Sequence, residues 1–284
     1  MSKFKSVSLK QMKAVTNGSR ARRVLSVPSV PKADLKLAKR LKSRLHVSAG
    51  RGDVGTITVR GRAGRKISYR QVDFYRDNHG VAGRVSSLHY DPVRSALLHL
   101  VRYANGDARF LLAVNGLEVG DHVSAGSNVD VQLGSAMKLK DIPVGSTISS
   151  IELKPGKGAQ MVRSAGASAS LVAKGDRYAI IRLPSGETRQ VFLECMATIG
   201  AIGNASWRNT SAGKAGASRW IGRRPHVRGA VMNPCDHPHG GGEGKAPVGR
   251  AAPLTRHGKK AYGARTRNDR VARGTGKILS RRSR

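Results

Sequence analysis

The side chains best placed to do chemistry fall in one segment, RRPHVRGAVMNPCDHPHGGGEG at residues 223–244. Cys235, Asp236, His237 and His239 could offer metal ligands, but their spacing matches no tetrahedral zinc pattern, and Pro238 stiffens the chain between the histidines. A phosphate-cradling P-loop would need Gly at 239 and Ser or Thr at 246, where His and Ala stand. His237 could act as a general acid or base, because imidazole titrates near neutrality. Acidic residues that would orient such a base are scarce, and no Ser/His/Asp order, carboxylate pair or nucleophile elbow accompanies it. No catalytic residue is assigned. What the segment offers instead is Arg223, Arg224, Arg228, Asn233, His237, His239 and Lys245 around three glycines, Gly240, Gly241 and Gly242. Cations and imidazoles reach phosphates and base edges, and glycine lets the backbone approach a surface closely. A basic linker without fixed structure is the alternative reading of the same composition.

Two further segments carry binding chemistry. IELKPGKGAQMVRSAG at 151–166 sets Lys154 and Lys157 on a Pro-Gly turn, with Arg163 close behind. Exposed amides beside cations grip phosphate oxygens, although an ordinary hairpin loop explains the glycines equally well. WRNTSAGKAGASRWIGRR at 207–224 adds Lys214 and Arg219 and two tryptophans, either of which could stack on a base or pack on the barrels, with packing expected for one of them.

These segments need a scaffold, and its elements are short strands. TITVR at 56–60, ISYRQVDF at 67–74, VSSLHY, LLHLVRY and FLLAV alternate with period two, and the parity switch between Tyr69 and Val72 predicts a β-bulge. Asn105-Gly106 predicts a two-residue type I′ hairpin, and Asn115-Gly116 a second turn. TISSIEL at 147–153, SASLVAK at 168–174, RYAIIRL at 177–183 and TRQVFLE at 188–194 form a second β unit. The reading is mainly β: two small barrels in tandem, each with a modest core because aromatic residues make up only 4% of the chain. Beyond about residue 204 periodicity disappears, and that region is expected to order only against a partner.

The net charge of +35 on 284 residues calls for a polyanion. Its distribution is uneven: +12 in residues 1–50, +7 in 51–205 and +16 in 206–284. An ordinary globular middle with long basic extensions fits that pattern. A membrane is excluded as the polyanion, because no basic amphipathic helix is predicted and no apolar run approaches the roughly 20 residues of a span. Cys195 and Cys235 give no support to a disulfide framework. The first 33 residues contain no acid and read equally as a targeting segment or an RNA-binding arm.

MNPCDHPHGGGEG, KPGKGAQMVRSAG, YRQVDF and LHYDPVRSALLHLVRYANGDARF together closely resemble the universal large-subunit ribosomal protein family numbered two in the bacterial scheme. The likeness runs in order from about Gly55 to Gly244. It implies an OB-fold barrel, then an SH3-like barrel, then an extension entering large-subunit ribosomal RNA near the peptidyl transferase centre, where the RNA does the chemistry. The implied domains are a basic N-terminal extension at 1–54, the first barrel at 55–133, the second at 134–205 and a C-terminal extension at 206–284. The implied partners are that RNA and neighbouring ribosomal proteins, with no cofactor, metal or small-molecule substrate. The family's noted histidine falls on His237. Departures lie at both ends: the N-terminus lacks the Pro-rich opening followed by Gly-Arg-Arg, Pro-Trp-Gly is missing after Gly244, and Cys235 replaces an aliphatic residue. They favour an organellar, mitochondrial ribosome over a bacterial cytoplasmic one. An RNA-processing enzyme and a general nucleic-acid chaperone are the rival classes; turnover on RNA, or binding to RNA and DNA alike, would mark them.

Overall fold

A computed structural model describes residues 8–27, 29–45, 49–57, 67–127, 129–244, 246–263 and 277–280. The chain divides into two compact units. One comprises Met1–His46, Lys66–Ala217 and Gly276–Arg284 and holds both barrels; the other comprises Val47–Arg65 and Ser218–Thr275.

The elements run β1 (Ser8–Gln11), α1 (Asn17–Arg20), β2 (Arg23–Ser26), α2 (Lys32–Arg40), β3 (Lys42–Leu45), β4 (Ile67–Arg70), β5 (Gly83–Tyr90), β6 (Leu97–Tyr103), β7 (Ala108–Leu112) and β8 (His122–Val123). A four-stranded sheet in the order β7-β6-β5-β8 forms the first barrel's wall. β5 buries Gly83, Val85, Ser87 and His89 in strict alternation, as a half-covered strand should. β6, between β5 and β7, is covered on both faces: Leu98 and Leu100 pack with Phe110 on one side, Val101 with Val85, Leu111 and Val123 on the other. Of the TITVR strand only Thr56 and Ile57 are described, Ile57 bridging Arg51; Thr58 to Arg60 lie outside the described residues.

Two local expectations are corrected. The parity switch after Tyr69 is a change of partner rather than a bulge: β4 pairs with β3, then Val72 bridges Phe110 and Asp73 N–H donates to Phe110 O at 2.9 Å. Among the described residues, the bulge in the β5–β6 pairing lies between Val85 and Ser87. The Asn105-Gly106 hairpin forms, but Gly106 alone has positive φ (88°), and its N–H donates to Tyr103 O at 3.1 Å. That is a three-residue turn closed by a left-handed glycine, in which Asn105 Oδ1 accepts from Asp107 N–H at 3.0 Å.

The N-terminal region is more structured than its charge suggests. α2 is a short basic helix with a buried face, an element the sequence reading excludes, and it sets Ala38 into the core beside Leu98. Asp34 on the same face is 3% exposed and accepts from Ser86 Oγ at 2.7 Å and from Arg102 at 2.5 Å. Burial alone would raise its pKa; hydrogen bonds from Ser86, Ser87 and Arg102 hold it below the ordinary carboxylate value instead.

The second barrel adds β9 (Ala136–Lys138), β10 (Thr147–Ser149), β11 (Ile151–Glu152), β12 (Ala159–Met161), β13 (Ala169–Lys174), β14 (Tyr178–Arg182), β15 (Thr188–Phe192) and β16 (Met196–Ile199). Its core is aliphatic: Leu139, Ile142, Ile148, Ile151, Leu171 and Ile181 are fully buried. TISSIEL is not one strand, because Ser150 adopts φ 49° and separates β10 from β11. Burial, then Glu152, pushes the Cys195 thiol up to about 12, so it is no nucleophile at neutral pH. After α3 (Ala215–Trp220) the chain returns as β17 (Ile278–Ser280), which pairs with β15 and places the Lys277 ammonium 3.4 Å from the Phe192 ring centroid. The C-terminal extension therefore contributes a strand to the second barrel's sheet, because a few apolar residues beyond its basic run suffice for an edge pairing.

The barrels share backbone hydrogen bonds: Asn115 N–H to Ala201 O and Gly203 N–H to Ala113 O, both 2.8 Å. The buried Arg76 guanidinium adds bonds to Ser124 O at 3.2 Å and Gly134 O at 3.0 Å.

Acid should weaken the first barrel. Burial, reinforced by Lys42, depresses His89 to about 4, and burial depresses His99 to about 4. Each imidazole protonates near 6.5 once unfolded, so its contribution is complete above that pH and is lost as pH falls from 6.5 toward 4. The loss is up to about 3 kcal/mol per histidine. Denaturant midpoints at pH 7.5 and 4.5 check this, and His99→Gln should flatten the difference; an equally steep decline in that variant would contradict the assignment.

Candidate nucleic-acid interface

The sequence-derived candidates divide between the two units. Lys154, Lys157, Arg163 and Lys214 belong to the barrel-bearing unit; Arg219, Arg223, Arg224, Arg228, Asn233, His237, His239 and Gly240 to Gly242 belong to the other. Lys245 lies outside the described residues.

In the first unit, β11 and β12 pair across the Lys154–Gly158 loop, with Ile151 opposite Met161 and Glu152 opposite Ala159. Glu152 is 2% exposed, and its carboxylate accepts from Gly158 N–H at 2.8 Å and Met196 N–H at 3.0 Å. This buried anchor fixes the base of the loop, while Lys154, Pro155, Gly156 and Lys157 stand in solvent. Gly158 needs to be glycine twice over: its φ is +79°, and a Cβ there would sit 3.3 Å from Phe74 O. Arg163 is placed differently from Lys154 and Lys157. It donates to Ala159 O at 3.2 Å and stacks 4.9 Å from the Phe74 centroid, so it braces the loop from behind. The Lys214 stem lies against Gly18, leaving the residue exposed.

In the second unit, residues 218–223 close a helix end: Gly222 N–H donates to Arg219 O at 2.8 Å and Arg223 N–H to Ser218 O at 3.1 Å. Arg219, Arg223, Arg224 and Arg228 are all exposed. One tryptophan packs, as expected. Trp207 packs 5.7 Å from Tyr90, whereas Trp220 is 61% exposed.

The histidine and glycine run folds into a tight turn. Asn233 O accepts from Asp236 N–H at 3.0 Å and His237 N–H at 3.3 Å, His237 O from Gly240 N–H at 2.8 Å, and Met232 O from Gly241 N–H at 3.0 Å. A Cβ at Gly240 would run into Asn233 O and stand 2.8 Å from Met232 O, so only glycine fits. The rings are oriented by backbone donors. His239 N–H donates to His237 Nδ1 at 3.0 Å, and Leu254 N–H donates to His239 Nε2 at 2.9 Å. Because a backbone N–H cannot accept, these bonds put the His237 proton on Nε2 and the His239 proton on Nδ1. Partial burial, His239 and Arg256 lower the His237 pKa, in keeping with that arrangement. His237 thus presents an N–H donor, its one lone pair already engaged. The same two bonds engage the one lone pair that each neutral ring offers, which leaves no chelating pair between the rings.

Sequence reasoning missed three features: the Arg94 and Arg163 guanidiniums on Phe74, each 4.9 Å from its centroid; the Asp34 anchor; and the exposure of Tyr75. Only Asp34 carried a signal, as the sole acid in a basic helix.

Tandem small barrels with exposed cations on a glycine-bounded loop, and a histidine turn presenting an N–H donor, have the chemistry that suits an RNA partner. Residues 38–125 match the family model described as Ribosomal Proteins L2, RNA binding N-terminal domain, and residues 132–258 match that described as Ribosomal Proteins L2, C-terminal domain. The chain belongs to the ribosomal protein L2 family.

Proposed function

We propose that this chain is a non-enzymatic constituent of the large ribosomal subunit that binds its ribosomal RNA near the peptidyl transferase centre and supports subunit assembly and association. The observation that carries this reading is the 232–241 turn, in which backbone donors orient His237 and His239 and glycine permits close approach. A general base needs a free lone pair, and the Nδ1 lone pair of His237 is engaged; its Nε2–H suits a phosphate or base acceptor. The proposed domains are a basic N-terminal extension at 1–54, barrels at 55–133 and 134–205, and a C-terminal extension at 206–284; within the extensions, Ala38 of α2 packs in the first barrel's core, β3 pairs with β4 and β17 pairs with β15. The sequence departures at the ends support an organellar, mitochondrial ribosome.

The test separates positioning from folding. His237→Ala is expected to lower incorporation into large subunits or their activity by roughly tenfold, the cost of one charge-assisted hydrogen bond, while the denaturant midpoint stays unchanged. Equal damage to barrel stability would overturn the positioning role, and RNA turnover by the purified protein, lost in His237→Ala, would favour the enzyme reading.

A further inference from the structure

Tyr75 is an aromatic side chain displayed without an evident packing reason. It is 61% exposed, yet the backbone around it is fixed on every side. Asp73 Oδ1 accepts from Tyr75 N–H at 3.0 Å and Arg76 N–H at 2.8 Å. Phe74, before it, has the Arg94 and Arg163 guanidiniums each 4.9 Å from its ring centroid, and Arg76, after it, is buried with φ 55°. A ring carried on so rigid a turn loses little further freedom when something stacks on it.

The Lys154–Gly158 loop lies against this ring. A Cβ at Gly158 would be 3.4 Å from Tyr75 Cδ1, and Ala159 N–H donates to Phe74 O at 2.8 Å, so the loop and the Tyr75 turn are one built surface within a single unit. Lys154 and Lys157 stand exposed at the tip, where Lys157 N–H donates to Lys154 O at 3.2 Å. One exposed aromatic face on the same built surface as two ammonium groups suits a base and its phosphates.

We propose that Tyr75, Lys154 and Lys157 form a composite site for an unpaired nucleotide of RNA, with the base stacked on the Tyr75 ring and the flanking phosphates on the two lysines. The inference rests on the RNA-binding reading above and deepens it: this part of the surface takes single-stranded RNA. The full chain is titrated with single-stranded oligoadenylate and with an RNA duplex of equal length over a range of salt. Tyr75→Ala should weaken single-strand binding roughly tenfold or more with an unchanged salt slope, and Tyr75→Phe should restore it. Lys154→Ala and Lys157→Ala should each reduce the slope by about 0.7. Oligoadenylate binding by Tyr75→Ala at the wild-type level, or an equal loss on duplex, would overturn the site. Wild-type binding to a large-subunit ribosomal RNA transcript, measured alongside, separates the two failures: if it is strong while Tyr75→Ala is neutral, only this site falls; if it is absent, the RNA-binding reading falls as well.

Discussion

Gly240→Ala should sharply reduce incorporation of the protein into large subunits, by roughly tenfold or more, while leaving the barrels as stable as before. The added methyl would collide with Asn233 O and crowd Met232 O, both backbone atoms that cannot swing aside as a side chain would. Overpacking of this kind typically costs about 1–3 kcal/mol, and every 1.4 kcal/mol is tenfold in an equilibrium. The bond between Gly240 N–H and His237 O and the one between Gly241 N–H and Met232 O would open, releasing the imidazoles from the orientation their backbone donors impose. Gly240 belongs to the unit that does not contain the barrels, so the denaturant midpoint should move by no more than about 0.5 kcal/mol equivalent. Quantifying the protein in subunit fractions alongside that midpoint checks both halves. Normal incorporation, or a matching fall in barrel stability, would remove the turn from the RNA interface.

Binding of the purified chain to a large-subunit ribosomal RNA fragment should collapse as salt rises. The two ends hold +12 and +16 of the net +35, and the exposed Arg219, Arg223, Arg224 and Arg228 are unencumbered by any ion pair among the described residues. Neutralising about 6–10 phosphates releases enough counterions to cost about 10³- to 10⁵-fold in affinity between roughly 50 and 200 mM salt. Replacing Arg223, Arg224 and Arg228 together by alanine should lower the slope by about 2–3. A nearly flat salt response would mean that shape or apolar contact, not phosphate neutralisation, holds the complex.

How much of this was legible in the sequence depended on how local the determining forces were. Strand alternation survives in β5 because one face is buried, and the turns at Asn105-Gly106 and Lys154 to Gly158 follow from glycines at positive φ. The type I′ expectation erred because the tripeptide frame that closes this hairpin depends on strand register, which Asn-Gly alone does not specify. The change of partner at Val72 and the break at Ser150 arise from tertiary pairing, for which a single strand's pattern carries no sign. Among the candidate site residues, Lys154, Lys157, His237, His239 and the glycines stood out because their type and spacing are unusual. Arg163 was legible as a cation beside that loop, but charge does not reveal the aromatic ring beneath it. Tyr75 was passed over because a tyrosine at a strand's end more often packs than protrudes; its exposure follows from Asp73, Phe74 and Arg76 acting together.

The central claim is that this chain resides in the large ribosomal subunit through direct contact with its RNA. Sedimentation of cell or organelle extract, probed for the chain in buffers with and without enough magnesium to join the subunits, tests it most directly. Co-migration with the large subunit under both conditions, and from the mitochondrial fraction, is the result expected. A peak confined to free protein in both buffers would contradict the claim.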